Sequence, residues 1–190
     1  MLNVLYEQFP DTVEVHGRMY PVVTDFREWL RFSELAEDEE IPWNIKGNLM
    51  MQWYTGEIPD DAESAIYALG DFLAARNLYQ EKSDGEEKAG SNKPVFSFVE
   101  DAGCIYSAFI ESYGIDIQTI PHMHWWKFRI LFDGLPEDTE IKQRMMYRGI
   151  DLRMIKSKDE RSRIRKIQQS IALRGKKKKI NDYEIGEFFA

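Results

Sequence analysis

The segment FVEDAGCIYSAFIESYGIDIQTIPHMHWWKFRILFDGL, residues 98–135, decides the fold of this chain. In its first half, apolar side chains recur every three or four residues, which gathers them on one face of an α-helix. Gly114 is expected to end that helix, because glycine readily adopts the left-handed conformation of helix C-termini. A second helix is predicted from Pro121 to Pro136, and the two are expected to pack through aromatic faces. The faces consist of Phe98, Ala102, Ile105, Tyr106, Phe109 and Tyr113, and of Trp125, Phe128, Leu131, Phe132 and Leu135.

Residues 12–23, on the N-terminal side, are predicted to form a small β-hairpin. Val13 and Val15 alternate with polar residues, and His16-Gly17 can form a two-residue turn. Such a turn would place Val13 opposite Tyr20, a favourable β-branched–aromatic pair.

Three further helices are predicted between the hairpin and residue 80. The first has Asp25 as its N-cap, with Glu28 three residues later, and the third is expected to start at Asp60. Between them, Asn44 is predicted to cap a short helix. The apolar positions of that short helix are Ile45, Leu49 and Trp53, and those of the third helix are Ala62, Ala65, Ile66, Leu69, Phe72 and Leu73.

Two more helices are predicted after the central segment. One carries Ile141 and Met145, has Glu137 and Asp138 in its first turn, and ends at Gly149. The last begins at Ser157, which forms an S-x-x-E capping box with Glu160. Its apolar seam is narrow, which suggests docking on another surface or on a second copy. That seam is formed by Ile164, Ile167 and Ile171, and the surface around it by Arg161, Arg163, Arg165 and Lys166.

The fold class predicted from these patterns is mainly α, a bundle of about six to seven helices with a small N-terminal hairpin. The chain is divided into residues 1–80, a flexible linker at 81–94, an aromatic helical core at 95–152, and a basic helix and tail at 153–190. Residues 1–100 carry 8 Lys and Arg against 20 Asp and Glu, whereas residues 101–190 carry 17 against 13. An acidic half and a basic end suggest head-to-tail self-association or a charged protein partner, although charges that merely solvate separate faces are an equal alternative.

No catalytic or cofactor-binding motif stands out, and no cofactor is expected. His122 and His124 form the only candidate metal cluster, but a third ligand at defined spacing is missing. Cys104 is the only cysteine and falls on the predicted apolar face, so it is interpreted as a core thiol. No apolar run approaches the ~20 residues of a membrane helix, no leader is expected at MLNVLYEQFPD, and a cytoplasmic location is expected.

Several of these residues also resemble the signature of one phage family. They are Asp101, Ile105, Tyr106, Phe109, residues 113–116 (YGID), residues 124–128 (HWWKF), Leu131, residues 134–136 (GLP) and residues 146–148 (MYR), with Gly17, Tyr20, residues 25–27 (DFR) and Leu30 near the N-terminus. The family is the gene-product-fifteen family of tailed phages of Gram-positive bacteria, whose genes lie beside tail-assembly genes. The resemblance covers most of the chain, and HWWKF is its most specific element.

The resemblance implies a non-enzymatic tail-assembly chaperone that acts on the tape-measure protein. Association with other copies of the chain is expected separately, because the acidic half would attract the basic last helix. One of the adjacent Trp125 and Trp126 is expected to be core and the other to be partly exposed at a contact surface, because ~100° of helix rotation separates them. The basic C-terminal helix favours, as the alternative, a nucleic-acid-binding protein of phage origin. The predicted partner-binding residues are Trp125, Trp126, Phe128, Arg161, Arg165, Lys166, Ile167 and Ile171.

Overall fold

A computed structural model describes residues 2–76, 78 and 94–174 of the chain. The predicted linker, apart from Pro94, and the basic tail beyond Arg174 lie outside these residues. The described part contains a two-stranded sheet and seven α-helices, so the predicted mainly helical fold with an N-terminal hairpin is confirmed. The elements are β1 (Thr12–Val15), β2 (Arg18–Pro21), α1 (Phe26–Glu37), α2 (Trp43–Met50), α3 (Ala62–Ala74), α4 (Ala102–Tyr113), α5 (Trp125–Asp133), α6 (Glu140–Gly149) and α7 (Lys158–Ser170).

The chain divides into two compact units. The described residues of the first unit are 2–76, 78 and 105–136, and those of the second unit are 94–104 and 137–174. The boundary falls within α4, so each unit combines segments that are distant in the sequence.

The hairpin forms in the predicted register. β1 and β2 are antiparallel, and Val13 lies opposite Tyr20. The turn residues His16 and Gly17 have φ angles of 51° and 78°. Positive φ at both central positions is the geometry of tight two-residue hairpin turns, because its twist matches that of the strands.

The caps of α1 and α3 follow the sequence closely. Asp25 is the N-cap of α1 and accepts a hydrogen bond from the backbone N–H of Arg27 at 3.0 Å, as predicted. The N-cap of α3 is Asp61 instead of the predicted Asp60, and its carboxylate accepts hydrogen bonds from the backbone N–H groups of residues 63 and 64. An acid at either position could serve, so the sequence defined this start only to within one residue.

Helix α2 differs from its prediction in both its start and its buried face. It begins at Trp43, so Asn44 lies inside the helix and is not its cap. Ile45 is 48% exposed, whereas Lys46 is buried. The cause is a hydrogen bond of 2.9 Å from Lys46 Nζ to the carbonyl of Ala36, one of the last carbonyls of α1. This bond satisfies an acceptor that has no partner within its own helix, and it turns Ile45 outward.

The core of the first unit is a stack of aromatic rings from three helices. Phe128 of α5 stacks on Phe109 of α4 with centroids 5.2 Å apart and on Phe26 of α1 at 4.7 Å. The predicted packing of the central pair through aromatic faces is therefore confirmed. Gly114 ends α4 with a φ of 65°, also as predicted, whereas Phe98 precedes the helix.

Helix α5 begins at Trp125, four residues after the predicted start at Pro121. The preceding residues instead run alongside the start of α1: Phe26 N–H donates to the Met123 carbonyl at 2.9 Å, and Trp125 N–H donates to the Thr24 carbonyl at 2.7 Å. His124 Nδ1 then accepts a hydrogen bond from Trp126 N–H at 3.0 Å and caps the helix. These long-range hydrogen bonds satisfy backbone groups that would have formed bonds within α5 if the helix had begun earlier.

The second unit is formed around α6 and α7. Glu137 and Asp138 lie before α6, whose N-cap is Thr139, and not in its first turn as predicted. Ser157 is the N-cap of α7, and its hydroxyl accepts a hydrogen bond from Glu160 N–H at 3.4 Å, which confirms the predicted cap.

Candidate protein-interaction surface

The predicted partner-binding residues fall into two sets that lie in different units. Trp125, Trp126 and Phe128 belong to the first unit and are 1%, 2% and 1% exposed. Their side chains are core residues in this fold, and their partner-binding role stays a prediction. The remaining five residues, Arg161, Arg165, Lys166, Ile167 and Ile171, lie on or next to α7 in the second unit.

The prediction that one of the two adjacent tryptophans is partly exposed is wrong. Trp125 Nε1 donates to the Leu73 carbonyl and Trp126 Nε1 to the Phe72 carbonyl, both at 2.9 Å. These carbonyls belong to the last turn of α3, where backbone acceptors have no partners within the helix. The two consecutive carbonyls thus accept hydrogen bonds from the N–H groups of two consecutive indoles. Both rings are buried, although they leave α5 in different directions.

Helix α7 has a half-buried flank that faces α6. Gln168 Nε2 donates to the carbonyls of Tyr147 and Ile150, each at 2.8 Å, and so ties α7 to the end of α6. Ile164 and Ile171 lie on the same flank as Gln168 at helical spacing and are half-buried. The apolar seam predicted from the sequence is therefore half-buried within the second unit, and the partner-binding role of Ile167 and Ile171 stays a prediction.

The remaining surface of α7 presents basic side chains to solvent. Arg163, Arg165 and Lys166 are exposed. Arg161 is half-buried instead, because its guanidinium donates to the Ile155 carbonyl at 3.2 Å through Nε. We call the exposed set, Arg163, Arg165 and Lys166, the basic face.

A buried charge cluster holds α7 in place, and sequence reasoning missed it. Asp101 is fully buried, and its carboxylate receives two hydrogen bonds from Arg148, at 2.6 Å (Nη1–Oδ2) and 2.9 Å (Nη2–Oδ1). Arg144 contacts it at 3.3 Å, and Ser97 N–H donates to it at 3.0 Å. The only sequence signal was that Asp101 belongs to the phage-family signature.

Arg148 connects this cluster to the end of α7. Its Nε donates to the Ile171 carbonyl at 2.7 Å, and Nη1 donates to the Val95 carbonyl at 3.0 Å. One guanidinium therefore joins three segments of the second unit. Burial acts to raise the pKa of Asp101, but the hydrogen bonds and charge of Arg148, together with the hydrogen bonds from Ser97 N–H and Arg144, outweigh it and hold the pKa below its ordinary value. The carboxylate is ionised at neutral pH.

The two units differ in charge. The described part of the first unit carries 7 Lys and Arg against 18 Asp and Glu, a balance of −11. The described part of the second unit carries 11 against 8, a balance of +3. The charge asymmetry of the sequence is thus also a difference between two folded units.

The candidate metal and thiol sites have other contacts in the structure. His122 Nε2 lies 3.0 Å from Thr24 Oγ1, and His124 Nε2 lies 2.9 Å from the Pro10 carbonyl. Within the described residues, no group of three or more His, Cys, Asp or Glu side chains could hold a metal ion. Cys104 is half-buried, and burial raises the pKa of its thiol. Across residues 2–76, 78 and 94–174, no helix is both long enough and apolar enough to cross a bilayer.

The chain belongs to the Bacteriophage Gp15 protein family, whose model matches residues 5–173. Comparisons with curated proteins and with solved structures gave no match.

Proposed function

We propose that this chain is a non-enzymatic tail-assembly chaperone that binds the phage tape-measure protein and associates with other copies of itself. Membership of the Bacteriophage Gp15 protein family over residues 5–173 supports a phage role. The chain also resembles phage proteins whose genes lie beside tail-assembly genes, and this resemblance supports the choice of partner.

The observation that carries the self-association is the exposed basic face of α7. The buried cluster around Asp101 and the Gln168 bonds to α6 hold this helix, so the basic side chains extend from a defined position. The first unit of another copy, with a balance of −11, is an electrostatically complementary target. Complementary charge of this kind mainly accelerates encounter and sets orientation.

Contacts between different surfaces of successive copies form open strings unless the rotation closes a ring. Such strings could cover a long helical partner whose apolar stripes are exposed before the tail tube assembles around it. Exposed apolar side chains are available for these contacts, among them Trp43 at 63%, Tyr67 at 68% and Met154 at 81%. Binding of this kind requires surface complementarity and no catalysis.

Sedimentation velocity tests the self-association directly. The intact chain is expected to sediment as larger species at low salt and as smaller ones at a few hundred millimolar, because the Debye length falls from ~30 Å at 0.01 M to ~10 Å at 0.1 M. Arg165→Glu should abolish the large species, whereas Lys127→Glu, an equal change of charge at an exposed position of the acidic first unit, should not. Salt-independent association, or equal loss in both variants, would contradict the proposal.

Nucleic-acid binding is the second candidate, because the same basic face could contact phosphates without sequence preference. Its test is fluorescence anisotropy of a labelled DNA duplex at the same salt concentrations. If the intact chain binds DNA more tightly than it binds itself, and Arg165→Glu removes that binding, the nucleic-acid function replaces the chaperone function.

A further inference from the structure

The two edges of the hairpin sheet differ, because, in the described part of the chain, backbone hydrogen bonds from another segment reach the β2 edge, at Pro21, and not the β1 edge. On the β2 side, Thr55 N–H donates to the Pro21 carbonyl at 3.0 Å and Val23 N–H donates to the Trp53 carbonyl at 2.9 Å. Pro21 itself has no N–H to leave unpaired. Natural sheets protect their edges in this way, because exposed edges pair with other chains.

The β1 side has no such cover. Val22 N–H donates to the Asp11 carbonyl at 2.9 Å, and in an antiparallel pair such bonded positions alternate with unbonded ones. In the observed register Val13 and Val15 therefore direct their backbone groups to β2, while Thr12 and Glu14 direct theirs away from it. Among the described residues, none forms a hydrogen bond with the backbone of Thr12 or Glu14 on that edge.

A groove follows this uncovered edge. It has a volume of about 530 Å³ and lies between β1 and one stripe of α3, all within the first unit. Ala68 and Phe72 line it on the helix side, and Glu14 and Met19 line it on the sheet side. One wall of this open strip thus carries backbone donors and acceptors, and the helix wall carries the apolar Ala68 and Phe72 together with the ion pair of Asp71 and Arg76.

We propose that β1 and this groove bind an extended, basic segment of a partner protein, which adds to the hairpin as a third strand. Strand addition of this type obtains affinity from main-chain hydrogen bonds and specificity from alternate side chains. This site is separate from the basic face of α7 and does not depend on the proposed chaperone function.

The length of the edge limits the segment to about five residues. β1 has four residues and therefore spans about 13 Å, and it is bounded by Pro10 on one side and by the turn at His16-Gly17 on the other. The partner residues opposite Thr12 and Glu14 would point to the same face as Glu14, and the residue between them would point towards α3.

Charge selects the composition of that segment. Glu14 and Asp11 are exposed at the edge, and the groove also contains Asp71, which pairs with Arg76 at 3.3 Å. The described part of the first unit has a charge balance of −11, so the first unit of another copy would be repelled from this edge. Basic side chains opposite Glu14 would be attracted to it. An alternating basic and apolar strand fits both walls.

The probe for this site is an acetylated and amidated peptide, Lys-Val-Lys-Val-Lys, titrated into the intact isotope-labelled chain and followed by amide chemical shifts. The amides of Thr12 and Glu14 are expected to shift. A copy of the peptide whose lysines are methylated at the backbone nitrogen should bind at least about fivefold more weakly, because it lacks the backbone N–H donors that face Thr12 and Glu14. Glu-Val-Glu-Val-Glu should bind more weakly still.

Two variants complete the test. Thr12→Pro removes an outward N–H at the first residue of a strand, where proline is tolerated, and should weaken binding about fivefold. Glu14→Lys should shift the preference to the glutamate peptide, whereas Glu111→Lys, an equal charge change at an exposed position of α4, should not. If Thr12→Pro fails to fold, Glu14→Lys and the N-methylated peptide still test the site.

Three results would overturn the proposal. The N-methylated and unmodified peptides could bind equally, which would mean charge attraction without strand addition. The shifted amides could lie outside β1 and the α3 stripe. The Thr12 and Glu14 amides could shift with protein concentration in the absence of peptide, which would assign the edge to a second copy of the chain.

Discussion

Asp101→Asn tests the buried charge cluster that positions α7. The substitution keeps the size of the side chain and removes its charge, while Arg148 remains 8% exposed and without its counter-charge. Breaking a buried, hydrogen-bonded ion pair by removing one partner costs roughly 3–5 kcal/mol of unfolding free energy. For a chain of this size, each kcal/mol lowers the melting temperature by about 2–4 °C, so a decrease of about 6–20 °C is expected.

Hydrogen exchange followed by mass spectrometry is the appropriate assay, because it assigns the loss of stability to segments. All five tryptophans lie in the first unit, so tryptophan fluorescence does not report on the second unit. Peptides covering residues 94–101 and 140–171 should lose protection in Asp101→Asn. The control is Asp138→Asn, an exposed aspartate of the same unit, which should leave them unchanged.

The pH dependence gives the same test an independent readout. The folded-state pKa of Asp101 is lowered from 3.8, so its stabilising effect is present above that value and declines as the pH falls through the folded-state pKa. The difference in stability between the intact chain and Asp101→Asn should therefore be largest near neutral pH and shrink as the pH falls below 3.8. A loss below about 1 kcal/mol at neutral pH, equal to that of Asp138→Asn, would refute the reasoning.

Three further predictions follow from buried or strained positions. Trp125→Ala and Trp126→Ala should each cost about 3–5 kcal/mol in urea denaturation, and a loss in only one of them would contradict the burial of both rings. Gly114→Ala should cost about 1–2 kcal/mol through its positive φ alone, since no atom lies within 4 Å of the added carbon. Gly70→Ala, inside α3, should instead stabilise the chain by up to about 1 kcal/mol. Equal effects of the two substitutions would contradict the strain argument. Cys104 should react with iodoacetamide more slowly than free cysteine at mildly alkaline pH, because burial raises the pKa of its thiol, and an equal rate would contradict that burial.

Local sequence signals predicted much of the fold. The hairpin register, the caps at Asp25 and Ser157, and the end of α4 at Gly114 each depend on residues within a few positions of one another. The aromatic packing of α4 on α5 was also predictable, because the apolar spacing is regular over several turns. Interactions between residues this close in the sequence depend little on the rest of the fold, so the sequence is enough to predict them.

The errors arose where a distant backbone group determined the outcome. Lys46 is buried because it reaches the Ala36 carbonyl, and an isolated α2 would have buried Ile45 instead. Trp126 is buried because the end of α3 offers the Phe72 carbonyl. Helix α5 starts late because Thr24 accepts the Trp125 N–H. None of these partners can be identified from spacing in the sequence.

The candidate interaction surface was predicted in part. The basic character of α7 is visible in the sequence, and Arg165 and Lys166 are exposed as expected of a contact surface. The position of the helix is not visible, since it depends on Arg148 and Gln168, which reach carbonyls more than 15 residues away. The sequence therefore indicated the basic charge of α7 but not the contacts that hold this helix in position.

Co-expression with the tape-measure protein is the measurement that tests the chaperone function most directly. The intact chain is expected to keep that protein in the soluble fraction of the lysate. A variant with the basic face reversed (Arg163→Glu, Arg165→Glu and Lys166→Glu) should fold with unchanged helicity and lose this effect, because α7 keeps its bonds to α6. If the reversed variant protects the tape-measure protein as well as the intact chain does, or if the intact chain gives no protection, the chaperone account is contradicted.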